Sequence, residues 1–468
     1  MKNLIVLFFL VLINASFPQS IILRDTTNQY DYIIITVPEF VQSCETFKQH
    51  KESYNGFNVL IVDTGQIYSE FNSDSLPQNN IREFISYAGT YWQTPKPVYF
   101  LLIGNTQAVP NFFIPLPLPG YNSYHRSDYY YSVSLYDSDT LTTEFNIGRL
   151  PALTSQEITK YFDKVIWYEN NSVLFDWMNT NLFLCESEEI FSLLEYSQSV
   201  AQQLPLNFQK KYMEDADTSE YFGNLDSLMN FVNNFGTSIL WFIGRSADSS
   251  FMFDPAFLEI DDLGLLNNFQ KYFLSVHFTQ SAILDSNTNI AREMLFLINS
   301  GSIGTIVLNG LSFWPTITLF QREWASRFYT SSHYSIPEVI ETYLDIMAPY
   351  QRRVVNYWGD PSLKLKYDET VNVSETENEI PNNYVLHSNY PNPYNNSTKI
   401  SYEIPVESHV SIILYDALGR EVATLVNEVK PGGKHQFSFV ENNLVSGVYF
   451  YTLRSGNFVQ TKKMILLK

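Results

Sequence analysis

From residue 32 onward, short apolar runs alternate with stretches whose apolar residues recur at helical spacing. The runs carry almost no charge, as expected for strands that are covered on both faces of a sheet. The alternation predicts parallel strands joined by crossover helices. The first predicted strands lie at residues 32–36, 58–62 and 98–103, with helices at 40–54 and 80–92.

The same alternation continues along the chain. A strand at 145–151 and a helix at 155–169 come next, and a second cycle begins at residue 182. Ile290, Met294, Leu297 and Ile298 show the period of a helix that packs on a sheet. The remaining predicted strands lie at residues 182–185, 209–213, 238–243, 272–278 and 302–309. We therefore predict an α/β fold of two consecutive parallel-sheet subdomains, residues 21–175 and 176–367.

The composition changes after Tyr367. Residues 368–383 are acidic and poor in large apolar side chains, which indicates a linker. Beyond it, short alternating runs are separated by turns that contain Pro and Gly. This spacing predicts an all-β sandwich over residues 384–468.

The first twenty residues have the layout of a secretory signal peptide. Lys2 precedes an apolar run from Leu4 to Ile13, and small or polar residues follow. A membrane anchor is the alternative, but the run is shorter than the roughly 20 apolar residues that span a bilayer. Because no later run reaches that length, we expect an exported mature chain without a membrane-spanning segment.

Composition excludes several classes of function. The 49 acidic and 29 basic residues give a net charge of −20, which opposes binding to nucleic acid or anionic membranes. No Cys/His spacing indicates zinc, no phosphate-binding loop is present, and we expect no cofactor. Calcium ligands at Asp248 and Asp285 are conceivable, yet no contiguous ligand pattern supports them. Cys44 and Cys185 are the two cysteines, and we expect both to be free thiols.

Four motifs occur in a characteristic order along the α/β region. They are Ser127-Asp128, Ile147-Gly148-Arg149-Leu150-Pro151, Lys164-x-x-x-Tyr168-Glu169 and Trp358-Gly359-Asp360-Pro361-Ser362-Leu363-Lys364-Leu365. Together they make residues 30–367 resemble the gingipain-like cysteine peptidases. The resemblance implies two consecutive α/β subdomains, of which the second is built like a caspase.

The C-terminal region carries a second resemblance. Tyr415-Asp416-x-Leu418-Gly419-Arg420, Ser446-Gly447-Val448-Tyr449-Phe450-Tyr451 and Lys462-Lys463-Met464-Ile465 are similar to the sorting domain of type IX secretion cargo. The resemblance implies that residues 384–468 contact the type IX machinery. It also implies passage through the periplasm and outer membrane to the cell surface or medium.

The catalytic positions that the peptidase resemblance implies hold the wrong residues. The family has a histidine after the glycine of Phe242-Ile243-Gly244 and a nucleophilic cysteine after Val276-His277-Phe278. Here those places hold Arg245 and, depending on the alignment, Thr279 or Gln280. A guanidinium stays protonated and cannot accept a proton, and threonine is a poor nucleophile without a base. The family resemblance, together with the replacement of this dyad, predicts a pseudopeptidase.

Other residues leave alternatives open. Cys185 and His277 each end a predicted strand, so they are candidates for a displaced dyad or for ordinary core residues. Asp128 is a candidate for a substrate pocket, as is Arg245, although Asp128 could instead cap a turn. His125 is expected in a solvated loop.

Three functions follow from these observations. The first is a secreted pseudopeptidase that binds a peptide or surface protein. The second is an active secreted cysteine endopeptidase with a displaced nucleophile. The third is a structural component of the cell surface or export machinery.

Overall fold

The chain forms two units, which a computed structural model describes over most of their length. One unit ends at Val371 and the other begins at Asn372. The described residues are 21–115, 124–136, 143–187, 193–205, 207–216, 219–244, 246–247, 249–251, 257–278, 288–308, 314–329, 334–341, 349–368, 384–386, 389, 392, 394, 397–406, 408–430, 433–440, 444–456 and 458–466.

The first half of the α/β unit follows the apolar pattern closely. Its elements are β1 (Tyr32–Thr36), α1 (Val41–Tyr54), β2 (Val59–Asp63), α2 (Thr64–Glu70), α3 (Pro77–Tyr91), β3 (Tyr99–Ile103), β4 (Phe112–Pro115), β5 (Tyr124–Ser127), β6 (Asn146–Leu150) and α4 (Ser155–Asn170). The sequence pattern missed α2 and the β4–β5 hairpin, because the helix is two turns long and the hairpin lies in a Pro-rich stretch. Thr154 caps α4, because its side chain accepts a hydrogen bond from Glu157 N.

The second half contains the other predicted strands. Its elements are β7 (Thr180–Cys185), α5 (Leu193–Ala201), β8 (Gln209–Glu214), α6 (Leu225–Asn230), β9 (Ile239–Ile243), β10 (Ser246–Ala247), β11 (Ser250–Phe251), β12 (Leu258–Glu259), β13 (Phe273–Phe278), α7 (Ile290–Phe296), β14 (Ser302–Leu308), α8 (Trp314–Phe328), α9 (Ile336–Glu341), α10 (Pro349–Val354) and β15 (Val355–Trp358).

One sheet of ten strands runs through both halves. Its strand order is β2-β1-β3-β6-β15-β14-β13-β9-β7-β8. Strand β15 runs antiparallel to β14 and places Trp358 beside Arg149 of β6. The two predicted subdomains are therefore joined edge to edge by a strand that comes last in the unit.

Strands of both halves end at a common edge of this sheet. Arg292 at the start of α7 forms a 2.6 Å ion pair with Glu157 at the start of α4. Each helix follows a strand of a different half, so the carboxyl ends of β6 and β13 lie at the same edge. We call this the carboxyl edge, and the opposite one the amino edge.

Each face of the sheet packs against its own set of helices. Cys185, Trp241 and Val276 belong to the core on one face, and Leu184 and Phe242 to the core on the other. Because successive side chains of a strand point to opposite faces, residues two apart share a face.

The C-terminal unit is all β, as predicted. Its strands are β16 (Val385–Leu386), β17 (Ser397–Ile404), β18 (Ser408–Asp416), β19 (Glu421–Lys430), β20 (Gly433–Val440), β21 (Gly447–Ser455) and β22 (Phe458–Leu466). They form two antiparallel sheets, β16-β17-β20 and β19-β18-β21-β22, which share one apolar core. Among the helices that the structure describes in either unit, none is long and apolar enough to cross a membrane.

Candidate functional site

The candidate site lies at the carboxyl edge, where β9 and β13 end side by side. The two strands are parallel neighbours, with His277 opposite Phe242 and Phe278 opposite Ile243. The chain positions that follow them hold Arg245, Thr279 and Gln280, which lie outside the described residues. The strands that precede the predicted dyad positions thus meet at one edge.

Glu186 is a residue at this edge that the sequence reasoning missed. Its side chain is buried, and its backbone N–H donates to the carbonyl of Ile243 at 3.1 Å. A Cβ added to Gly244 would lie 2.9 Å from the Cβ of Glu186, so only glycine fits beside it. A carboxylate buried here requires a polar partner. Its sequence signal was its position as the first acidic residue after an apolar strand.

Cys185 is a buried thiol at the end of β7. Its Sγ lies 2.9 Å from the Ser197 hydroxyl of α5, on the face that carries Trp241. Burial raises the pKa of the Cys185 thiol to about 12. The sulfur therefore stays protonated at neutral pH and is a poor nucleophile.

His277 lies on the opposite face of the sheet from Cys185. It opposes Phe242, its ring nitrogen is hydrogen-bonded to the Ser275 hydroxyl, and its side chain is buried. Burial lowers the pKa of His277 to about 3. Cys185 opposes Ile243, the next residue of β9, so strand β9 separates the two side chains as well. The prediction of a displaced Cys185–His277 dyad is wrong for this geometric reason.

The other cysteine is also inaccessible. Cys44 lies on α1, is buried, and donates to the carbonyl of Phe40 at 3.3 Å. Burial raises the pKa of its thiol to about 12. Both cysteines are free, as predicted, and both are core residues.

Asp128 serves the fold through a buried ion pair. Its two carboxylate oxygens accept from Arg149 Nε at 2.6 Å and Nη2 at 2.7 Å. Arg149 Nη1 also donates to the carbonyls of Gly104 and Val109. The carboxylate thus holds the guanidinium that ties β6 to the loop after β3, so it is not free to bind substrate. The alternative turn cap is also absent, since Asp128 makes no side-chain cap bond to the following turn.

The remaining candidates are placed as follows. His125 lies in strand β5 and is half-buried, so the expected solvated loop was wrong. Asp248 and Asp285 lie outside the described residues, and the calcium hypothesis there stays a prediction. Among the residues that are described, no group of three His, Cys, Asp or Glu side chains could hold a metal ion.

Comparison with known families accounts for this arrangement. The profile of peptidase family C25 matches residues 25–366, which is most of the chain. The chain belongs to peptidase family C25. The profile of the secretion system C-terminal sorting domain matches residues 388–467. This domain implies interaction with the type IX secretion system and export to the cell surface or medium.

Solved structures agree with the gingipain-like fold. The complex of the pro- and mature domains of RgpB from Porphyromonas gingivalis matches with a TM-score of 0.58 at 15% identity, covering 93% of this chain and 100% of that chain. The Arg-specific cysteine proteinase gingipain R matches with a TM-score of 0.57 at 14% identity, covering 93% and 98%. No curated protein sequence matches the chain. At these identities the likeness concerns the fold alone.

Proposed function

We propose that this C25-family protein is a secreted pseudopeptidase, which binds a peptide or surface protein without cleaving it. The observation that carries the proposal is the state of its cysteines. The sequence contains two, and both are buried, protonated thiols. A cysteine peptidase requires an accessible thiolate with an imidazole beside it.

The replacement at the family's histidine position supports the same conclusion. Arg245 follows Gly244 in the sequence, and a guanidinium supplies positive charge and donors but cannot act as a base. Positive charge at the end of β9 would attract a carboxylate of a bound peptide. A site at the end of β9 would therefore retain peptide binding after the loss of proteolysis.

The rival reading, an active endopeptidase with a displaced nucleophile, loses its specific candidates. Cys185 and His277 face opposite sides of the sheet, and each is held in its uncharged form by burial. No proton transfer between them is possible without refolding the strand ends.

Activity and thiol accessibility test the proposal together. Purified mature protein is incubated with fluorogenic peptides that carry Arg, Lys or apolar residues at the cleavage position, with and without reductant, beside an active C25 peptidase. We expect no turnover by this protein. Titration with a chromogenic disulfide should detect no thiol in the native protein and two after denaturation. Thiol-dependent cleavage that disappears in Cys185→Ala would instead establish an active peptidase.

A further inference from the structure

A cavity opens at the amino edge, away from the carboxyl-edge site. Its volume is about 350 Å³. It lies between the end of α1, the segment after α4 and the segment after β15. Crossover helices return to the amino edge, so α1 and α4 both end there. The cavity and the carboxyl-edge site have no residue in common.

A buried charge network supports the floor of the cavity. Glu169 lines it and accepts from Lys51 Nζ and from the His50 ring, both at 2.7 Å. Lys51 Nζ also lies 2.6 Å from a carboxylate oxygen of Asp360. The charge of Glu169, the one acid among the described lining residues, is therefore already compensated from below.

Two lysines make the cavity wall positive. Lys366 Nζ donates to the carbonyls of Glu169 and Asn171 at 2.8 and 2.6 Å, which fixes its ammonium at the wall. Lys364 is exposed and also lines the cavity, and within the described part of the chain it makes no hydrogen bond or ion pair. In a chain of net charge −20, this wall presents an ammonium without a counter-ion. It is suited to an anionic group.

Asn55 adds a requirement for a hydrogen-bond donor. Its Oδ1 is buried and has no hydrogen-bond partner, although the residue lines the cavity. A buried polar atom without a partner costs free energy, so a ligand that donates to it is favoured.

Part of the lining is apolar or aromatic. The ring of Tyr54 stacks on His50 with 5.3 Å between centroids, and Leu174 and Tyr367 complete the wall. Val173 and Phe175, which flank Leu174 in the sequence, are 53% and 41% exposed. Apolar side chains beside a few polar groups in a cavity are typical of ligand sites.

We infer that this cavity binds a carboxylate carried by an apolar group with a neighbouring amide N–H, the chemistry of a peptide's C-terminal residue. Lys364 binds the carboxylate, Asn55 accepts from the amide, and Tyr54, Leu174 and Tyr367 contact the apolar side chain. A free N-acylated amino acid carries the same chemistry. The inference is independent of the pseudopeptidase proposal, because it concerns the opposite edge of the sheet.

Calorimetric titration of the full mature protein with N-acetyl-L-leucine and with its uncharged amide tests the inference. We expect the acid to bind and the amide to bind at least tenfold more weakly, about 1.4 kcal/mol. Lys364→Met should weaken binding of the acid at least tenfold, and Asn55→Ala should also weaken it. Lys96→Met is the matched control, since Lys96 is exposed and lies outside the cavity lining. The affinity of this variant for N-acetyl-L-leucine should be unchanged.

The source of the ligand is resolved by acetyl-Ala-Ala-Leu with a free carboxylate. Tighter binding than N-acetyl-L-leucine identifies a peptide C-terminus, and weaker binding identifies a free acylated amino acid. Absence of binding by the acid at millimolar concentration, equal binding of acid and amide, or unchanged affinity in Lys364→Met would each overturn the inference. Circular dichroism of each variant verifies that the fold is retained.

Discussion

The two edges of the ten-stranded sheet use charge differently. At the carboxyl edge, Asp128 and Arg149 neutralise each other in the interior. At the amino edge, the ammonium of Lys51 compensates the buried charges of Glu169 and Asp360. The ammonium of Lys364 stays exposed. A charged residue near a pocket is thus a binding candidate only if its charge is not already used by the fold.

The largest effect should come from removing the buried cation of the amino edge. Lys51→Met leaves the carboxylates of Glu169 and Asp360 buried together, and we expect a loss of about 5 kcal/mol in the free energy of unfolding. Urea unfolding measures it. Lys48→Met on the same helix breaks only a 3.9 Å surface pair with Glu52, so its cost should stay below about 1 kcal/mol. Similar losses in both variants would contradict the role given to Lys51.

The buried imidazole of His277 at the carboxyl edge should make the free energy of unfolding depend on pH in the acid range. Burial lowers the pKa of His277 to about 3, below its ordinary value of 6.5. As the pH falls, the imidazole of the unfolded chain is protonated before that of the folded protein. The neutral His277 therefore contributes its full stabilisation above pH 6.5, and this contribution is lost as the pH falls towards 3. The free energy of unfolding should fall by up to about 1.4 kcal/mol per pH unit. Between pH 6.5 and 3 the total loss should be roughly 4 kcal/mol.

Comparison with His277→Leu isolates this proton. Between pH 6.5 and 3, the unfolding free energy of the variant should fall less steeply with decreasing pH than that of the wild type. The difference is the contribution of the His277 imidazole. If wild type and variant have parallel pH profiles, the imidazole does not titrate in the folded protein as described.

A smaller effect is expected from the ion pair of the carboxyl edge. Asp128→Asn keeps the shape but leaves the Arg149 guanidinium without a compensating charge, at a cost of about 3 kcal/mol. Asp128→Leu combined with Arg149→Met should recover part of this loss, because no buried charge remains. Chemical denaturation of the variants provides the measurement. If Asp128→Asn left the free energy of unfolding nearly unchanged and altered peptide binding instead, Asp128 would again be a candidate for the substrate pocket.

The smallest effect should follow Cys185→Ala. The change removes a small buried side chain and its contact with Ser197, so we expect a loss of about 1 kcal/mol and no change in ligand binding. Thermal unfolding and binding of the peptide or surface protein proposed for the carboxyl edge are measured together. A large change in binding with unaltered stability would show that Cys185 acts at the site after all.

Local patterns in the sequence determined most of the elements and both family resemblances. Runs such as residues 32–36 and 238–243 are apolar throughout, and a strand buried on both faces leaves that signature without reference to the rest of the chain. Short elements such as α2 and β15 escaped, because four to seven residues carry too little periodicity. The residue types at the predicted dyad positions could also be read from the sequence, and the loss of the dyad stays a prediction.

Only the tertiary structure decided which side chains meet. Cys185 and His277 both lie at strand ends, yet the strand register places them on opposite faces, and a shift of one residue would reverse that outcome. Lys51 and Asp360 are 309 positions apart in the numbering and form a 2.6 Å ion pair. Such pairings depend on how strands and helices from distant parts of the chain pack. Residue type and spacing carry no information on them.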